Sequence, residues 1–328
     1  MRLLFSGIIL GVTLALPLAG QSVPTVVRDA EGRSVYVLGL RRWTVGMLQD
    51  SLRKYAPTVS LHSHACAAVL RYTLGFADAS AVRLRSERQP DIVLVHVREP
   101  QDSGRVHYRL LPLDSLTPAQ RWLSATTAFR SGREAFDRGA SAFLASDTLT
   151  DSLSLAVKAF LQSAADETTY AEALATLDTS PNYQDRIVAT LVVANHPNRT
   201  TTWSALLRAI RESDGPVKSY AARVLRAIAK RSQAPDWEVL APQVHAILDG
   251  TSLFFLDAVV EVLNARPEIG PAHARAFLTG GGEMLLNRAH LDQPLFARSA
   301  LRLLTKLRGE DLGSDATVWT AWVASLQH

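Results

Sequence analysis

Three side chains able to ligate a borderline or soft metal stand within five positions, in His62-Ser63-His64-Ala65-Cys66. Two imidazoles and a thiolate are donors that zinc and copper accept. Alternate positions share a face only where the chain is extended, whereas the apolar pattern from Ala65 to Leu74 reads as helix. The reading compatible with a helix has Ser63 as a cap, His62 and His64 in solvent and Cys66 in the core, so no metal or other cofactor is assigned. Cys66 is the single cysteine, which excludes an internal disulfide and leaves stability to packing.

Other reactive types are scattered. His96 and His107 would face each other if their strands pair, with no role assigned. Gly280-Gly281-Gly282 lacks the preceding strand and following Lys-Ser/Thr of a phosphate-binding loop, so it reads as a kink in a helix or a surface turn. Asn198-Arg199-Thr200 has the form of a glycosylation sequon and reads as a loop. No nucleophile elbow, zinc-protease helix or paired carboxylates in an evident cleft are present, and nothing nominates a catalytic residue.

The elements that would position any such group belong to a folded chain of 328 residues, 47% apolar and 20% charged, long enough for about two domains. The formal charge of +4 is spread thinly, with Arg far outnumbering Lys. There is no basic run interleaved with aromatics, so nucleic acid is not an expected partner, while peripheral contact with an anionic membrane surface is compatible with the balance. Residues 1 to 20 carry Arg2, an apolar run from Leu3 to Leu16 and a small-residue end at Pro17-Leu18-Ala19-Gly20. This is the pattern of a secretory signal peptide cleaved after Gly20. Leu18-Ala19-Gly20 is followed by Gln21 rather than the cysteine a lipid anchor needs, so a soluble periplasmic protein is expected. No other stretch is apolar over the length of a membrane span.

After an extended lead-in over 21 to 33, Ser34 to Leu40 alternates as a strand. Thr44 then caps a helix to Tyr55, halted by Pro57, and a second helix from about Ala65 to Leu74 ends at Gly75. Asp91 to Val97 and Arg105 to Leu111 read as a hairpin around Pro100 and Gly104. Gly75-Phe76 after the second helix, and Val95-His96-Val97-Arg98-Glu99 at the end of a strand, make the segment 34 to 112 resemble a POTRA domain, which carries a Gly-aromatic pair and a Val-x-Glu in those places. The resemblance implies a periplasmic docking module that can accept a partner strand along its sheet edge. From Pro118 on, strand signals vanish: Trp122 to Ala145 is helical with breaks near Gly132 and Gly139, and Leu153 to Ala165 is helical again. Residues 113 to 150 read as a connector.

The last half repeats itself. Asp214, Pro216, Val217, Ala222 and Leu225 recur as Asp292, Pro294, Leu295, Ala300 and Leu303, 78 positions later, or two units of 39. A third copy fits at Asp249-Gly250 with Leu253, Ala258 and Val262, and a fourth at Pro181 with Ile187, Ala189, Leu191 and Val192. Asp before a helix frees it of unpaired N–H groups, Pro suits its first turn, and Ala permits close crossing. Preceding helices are expected at Trp203 to Glu212, Trp237 to Leu248 and Ala272 to Leu286, with Asp315 to Leu326 closing the series. Over 150 to 327 the pattern resembles the HEAT repeat family, in the short variant also found in phycobilisome lyases, where Asp precedes Val-Arg and Ala-Ala. Lys218 and Phe296 stand where that family has its Arg, so the family's Asp to Arg ladder is not reproduced.

These readings predict a small α+β N-terminal domain followed by an all-α HEAT-like solenoid from 151 to 328. The expected function is that of an exported, non-enzymatic scaffold or assembly subunit whose partners are other proteins of a cell-envelope or membrane-associated complex. The resemblance to lyases keeps open an enzyme of that kind, and His62, His64 and Cys66 keep open a metal- or chromophore-handling protein.

Overall fold

The computed structural model describes residues 24–28, 33–86, 89–106, 119–212, 215–250, 253–292 and 294–327. The predicted signal peptide, the strand expected after Arg105, His107 and Asp214 lie outside them. The protein is mostly helical, with one small four-stranded mixed sheet near the N-terminus.

The N-terminal elements are β1 (Thr25–Arg28), β2 (Ser34–Leu38), α1 (Val45–Tyr55), α2 (Ala65–Tyr72), β3 (Asp78–Ser86) and β4 (Gln89–Arg98). Their spatial order is β1-β2-β4-β3, with β2 and β4 parallel and the outer pairs antiparallel. The helix signals act as their chemistry dictates: Thr44 Oγ1 accepts the N–H of Met47 at 3.2 Å, and Gly75, at φ +72°, lets Phe76 N–H reach back to Leu70 O at 3.0 Å. The expected hairpin is corrected. β4 pairs with β3, a strand whose Asp78-Ala79-Ser80-Ala81 start carries too little apolar alternation to be seen, and Pro100–Arg105 forms a 3-10 turn. The lead-in, too, contributes a strand, β1, with an exposed outer surface.

The sheet is buried on both faces, which is why β2 and β4 read as unbroken apolar runs. Val35, Val37, Val93, Val95 and Val97 pack with Leu48, Leu52, Cys66 and Leu70 of α1 and α2. Tyr36, Leu38, Ile92 and Leu94 turn the other way and share a core with the helices that follow.

Those helices are α3 (Leu123–Ser131), α4 (Arg133–Ala145), α5 (Ser152–Ser163), α6 (Glu167–Thr179), α7 (Tyr183–Val192), α8 (Thr200–Ile210), α9 (Gly215–Ala229), α10 (Trp237–Leu248), α11 (Leu253–Ala265), α12 (Ala274–Leu278), α13 (Glu283–Ala289), α14 (Pro294–Arg308) and α15 (Ala316–Ser325). The chain breaks at Gly132, but α4 passes straight through Gly139. A Cβ there would lie 2.6 Å from Ser154 O and 2.8 Å from Val157 Cβ, so glycine serves a close α4–α5 crossing rather than a break. The single helix expected from Ala272 to Leu286 is two, α12 and α13, because Gly280 and Gly282 both adopt positive φ.

Helices α6 to α14 pair along the chain, α6 with α7, α8 with α9, α10 with α11 and α13 with α14. The second members form a row in which α7 touches α9, α9 touches α11 and α11 touches α14, while α6, α8, α10 and α12 form the other. Pro216 is the second residue of α9 and Pro294 the first of α14, and Val217, Ala222, Leu225, Ala300 and Leu303 are all buried. Asp292, just before α14, accepts a hydrogen bond from Tyr36 Oη of the sheet.

Two repeating devices run through the rows. In the first row, Tyr170, Trp203, Trp237 and Phe277 are buried aromatics, with Trp203 and Trp237 centroids 5.6 Å apart and Trp237 and Phe277 6.4 Å apart. The second begins at the end of α5 and continues along the second row, where a helix end receives a donor from the next pair. Asn195 Nδ2 donates to Leu161 O (2.8 Å) and Arg231 to Ala194 O (2.8 Å). Arg266 donates to Ala229 O (3.0 Å) and Ser232 O (3.1 Å), and Lys306 to Leu263 O and Asn264 O (3.0 Å each). A helix leaves its last four carbonyls unpaired, and a cation there also meets the negative end of the dipole.

Replacing Arg266 by Leu strands the Ala229 and Ser232 carbonyls, and urea unfolding should register a loss of about 2 kcal/mol. A change within measurement error would show that these end bonds do not hold successive pairs together.

Candidate functional site

The residues singled out for metal binding diverge. Cys66 is fully buried between α1 and the sheet, and burial pushes its thiol up to about 12, so it is a core group and not a thiolate donor. His64 binds Ala81 O of β3 through Nδ1 at 2.9 Å, and His62 lines a different recess between β1 and α1 with Val27, Leu52, Arg53 and Pro57. Ser63 Oγ accepts the Ala65 N–H at the start of α2. Among the described residues no group of three or more His, Cys, Asp or Glu side chains is arranged to hold a metal ion. His96 is fully buried in β4. Gly281 abuts His245, whose ring a Cβ would strike at 2.4 Å, so the three glycines form a tight helix-to-helix turn. Asn198 receives the Gln233 N–H at 2.8 Å in a loop, and Arg199 pairs with Glu167.

The densest set of charges lies where the sheet meets the helices. Arg98, the last residue of β4, is buried together with Glu283, the first of α13, and its Nη1 stands 2.8 Å from Glu283 Oε2. Arg98 Nη2 donates to the carbonyls of Asp249 and Gly250, in the turn between α10 and α11. Arg41, after β2, reaches the same Glu283 oxygen at 3.1 Å and lies 3.5 Å from Asp102. Asp249 completes the circuit by accepting the Glu283 N–H at 3.2 Å, capping α13.

Beside Arg98, Glu99 collects the N–H groups of Arg41, Arg42 and Trp43 on one oxygen at 2.7, 2.8 and 2.9 Å, and the Gln101 amide on the other. Burial acts to raise its pKa, but these donors outweigh that and hold the carboxyl below its ordinary value. The bonds fix the turn out of β2, which aims Arg41 at Glu283.

The Glu283 oxygen that faces two guanidinium groups is committed to them, and Arg98 uses its terminal nitrogens on one carboxylate and two carbonyls. Sequence reasoning missed this set because the bonds from its sheet side to its helix side join residues 151 to 242 positions apart. The only local signal was an Arg-Glu pair ending an otherwise apolar strand.

Next to the junction, β3 is the outer strand of the sheet and borders a recess of about 450 Å³ with His64, Ala81, Arg83, Arg133, Pro216 and Phe255 on its walls. Because the Ala81 carbonyl accepts from His64, it points away from β4, and in an antiparallel strand the N–H of the same residue points the same way.

Breaking a buried pair strands the partner charge, so Arg98→Ala and Glu283→Ala should each cost about 3–5 kcal/mol in urea unfolding, while Arg98→Met combined with Glu283→Leu should recover much of that loss. Equal stabilities for the single variants and the wild type would contradict the buried pairing. Comparison of the chain with protein-family models, with curated proteins and with solved structures gave no match.

Proposed function

We propose that this chain is an exported, non-enzymatic scaffold or assembly subunit, built as a HEAT-like solenoid with a POTRA-like docking unit seated against it. The observation that carries this reading is the helix-pair register. Successive second-row helices touch in chain order, and each is tied to the one before it through a side chain donated to its terminal carbonyls. Such stacking generates long surfaces without a closed cavity.

The docking part of the proposal rests on the strand–helix–helix–strand–strand order from β2 to β4, in which β4 lies between β2 and β3, and on the outward backbone groups of β3. An extended segment of a partner can add to such an edge, its backbone supplying affinity and its side chains specificity. The charged groups at the junction support a holding role, since each is engaged in a structural bond. Export rests on residues 1 to 20 alone, and no helix of the described residues is long and apolar enough to cross a membrane.

Affinity capture from a gently extracted envelope fraction should recover the chain, beginning at Gln21, with stoichiometric protein partners. Ala81→Pro, which removes one outward N–H of β3 and leaves the bonds to β4 in place, should lose at least one of them. Recovery only as a free monomer that retains Met1 would contradict the proposal.

A further inference from the structure

Helix α14 carries a stripe of residues at helical spacing, Pro294, Ala297, Arg298, Leu301, Arg302 and Thr305, along three turns. The stripe forms one wall of a cleft of about 680 Å³, floored by Ala289 and Leu291 and closed on the far side by the Asp311–Ser314 loop. Ala289, Leu291 and Ala297 are buried at its base, while Arg298 and Arg302 stand exposed, and among the described residues no carboxylate pairs with either.

The repeat supplies a template for what belongs there. The register that aligns Pro294 with Pro216 places Ala297, Arg298 and Leu301 at Ser219, Tyr220 and Arg223 of α9. On α9 the last two of these, Tyr220 and Arg223, are met by α4, while Ser219 stands exposed. Tyr220 Oη donates to Asp137, and Arg223 donates to the Asp137 carboxylate at 3.3 Å, to the Asp137 carbonyl at 3.0 Å and to Ser141 Oγ. The covering helix thus presents an acid and a small hydroxyl residue one turn apart to donors on the row. On α14 a guanidinium, Arg298, takes the place of Tyr220 and Leu301 that of Arg223, while the exposed Arg302 follows where α9 has the buried Val224.

We propose that the α14 cleft docks an α-helix of another protein, one that presents an acidic side chain with small residues a turn away, as α4 does on α9. The inference rests on the scaffold reading above and assigns it a specific surface. Burial of Pro294 and the half-buried Leu301 supplies contact area, and the acid placed between Arg298 and Arg302 fixes the register.

The test uses the full chain and a fluorescent, hydrocarbon-stapled peptide with the sequence of residues 133–145, stapled because an isolated helix of that length is marginal in water. Anisotropy should show saturable binding that weakens at least tenfold with Arg298→Glu/Arg302→Glu and at least tenfold when the peptide carries Asn in place of its Asp137. Arg223→Ala, which touches only the internal α4–α9 contact, should leave it unchanged. Circular dichroism and thermal unfolding of the charge-reversed chain, expected to match wild type because both arginines are exposed, separate lost docking from lost folding. No binding, binding indifferent to the reversal, association only with anionic vesicles, or self-association that the reversal abolishes would each overturn the proposal. If envelope partners are still captured in full by the reversed chain, the cleft assignment fails while the scaffold reading stands; if wild type captures none, the scaffold reading itself fails.

Discussion

A four-stranded sheet this small cannot leave one face open when that face is Tyr36, Leu38, Ile92 and Leu94, and the rest of the architecture follows from what covers it. The helices after Ala119 do so, and the contact is fixed at its rim by Arg98, a cation held out of water by one carboxylate and two backbone carbonyls from the opposite side. Two apolar surfaces could slide over one another. A buried guanidinium that loses its partners when they slide cannot tolerate this, so the pair sets the seat of the sheet more than the strength of the contact. Arg98, Arg41 and Tyr36 all reach the helices at turns or helix starts, in 249–250, at Glu283 and at Asp292, where backbone groups and capping carboxylates are free to answer them.

The helical rows rest on a different economy of polar groups. Helices of ten to fifteen residues have a large share of their carbonyls at an end, and here the next pair answers them with Asn195, Arg231, Arg266 or Lys306. Arg266 also joins the two rows: its Nε lies 2.7 Å from Glu268, which accepts the indole N–H of Trp237, and its guanidinium lies 5.6 Å from the Trp203 ring centroid. One side chain therefore couples the aromatic series to the helix ends. Part of the second row is also already covered from within, α9 by α4 and the turns before α11 and α14 by the sheet, while the outer strands β1 and β3 and the far end of the row keep groups to offer.

Much of this was legible in the chain because it is local. The cap at Thr44, the turn at Gly75, the helices α10 and α15 and the burial of Ala222, Leu225, Ala300 and Leu303 follow from spacing and from what single residues permit. β3 was passed over because its Asp78–Ala81 start is small and polar and only the short stretch Val82-Arg83-Leu84-Arg85 alternates, so pairing with β4 rather than pattern defines its length. The break between α12 and α13 was readable only as one of two options for three glycines. The repeat was found through Asp and Pro at helix starts, whereas its stronger physical marks, the first-row aromatics and the donors at helix ends, recur at uneven intervals of about three dozen residues and differ in type from copy to copy. The Arg98–Glu283 site is invisible to any local pattern, and the histidine and cysteine cluster shows the converse: residues adjacent in sequence can face separate recesses.

The central claim is that the sheet and the helical rows are held in one seat by the Arg98 network, and hydrogen exchange in Glu283→Gln tests it most directly. Weakening the pair should raise exchange together in β2, β4, the 249–250 turn and the first turn of α13, with α6 to α8 unchanged. Faster exchange confined to α13 alone, with β2 and β4 protected as in the wild type, would contradict it.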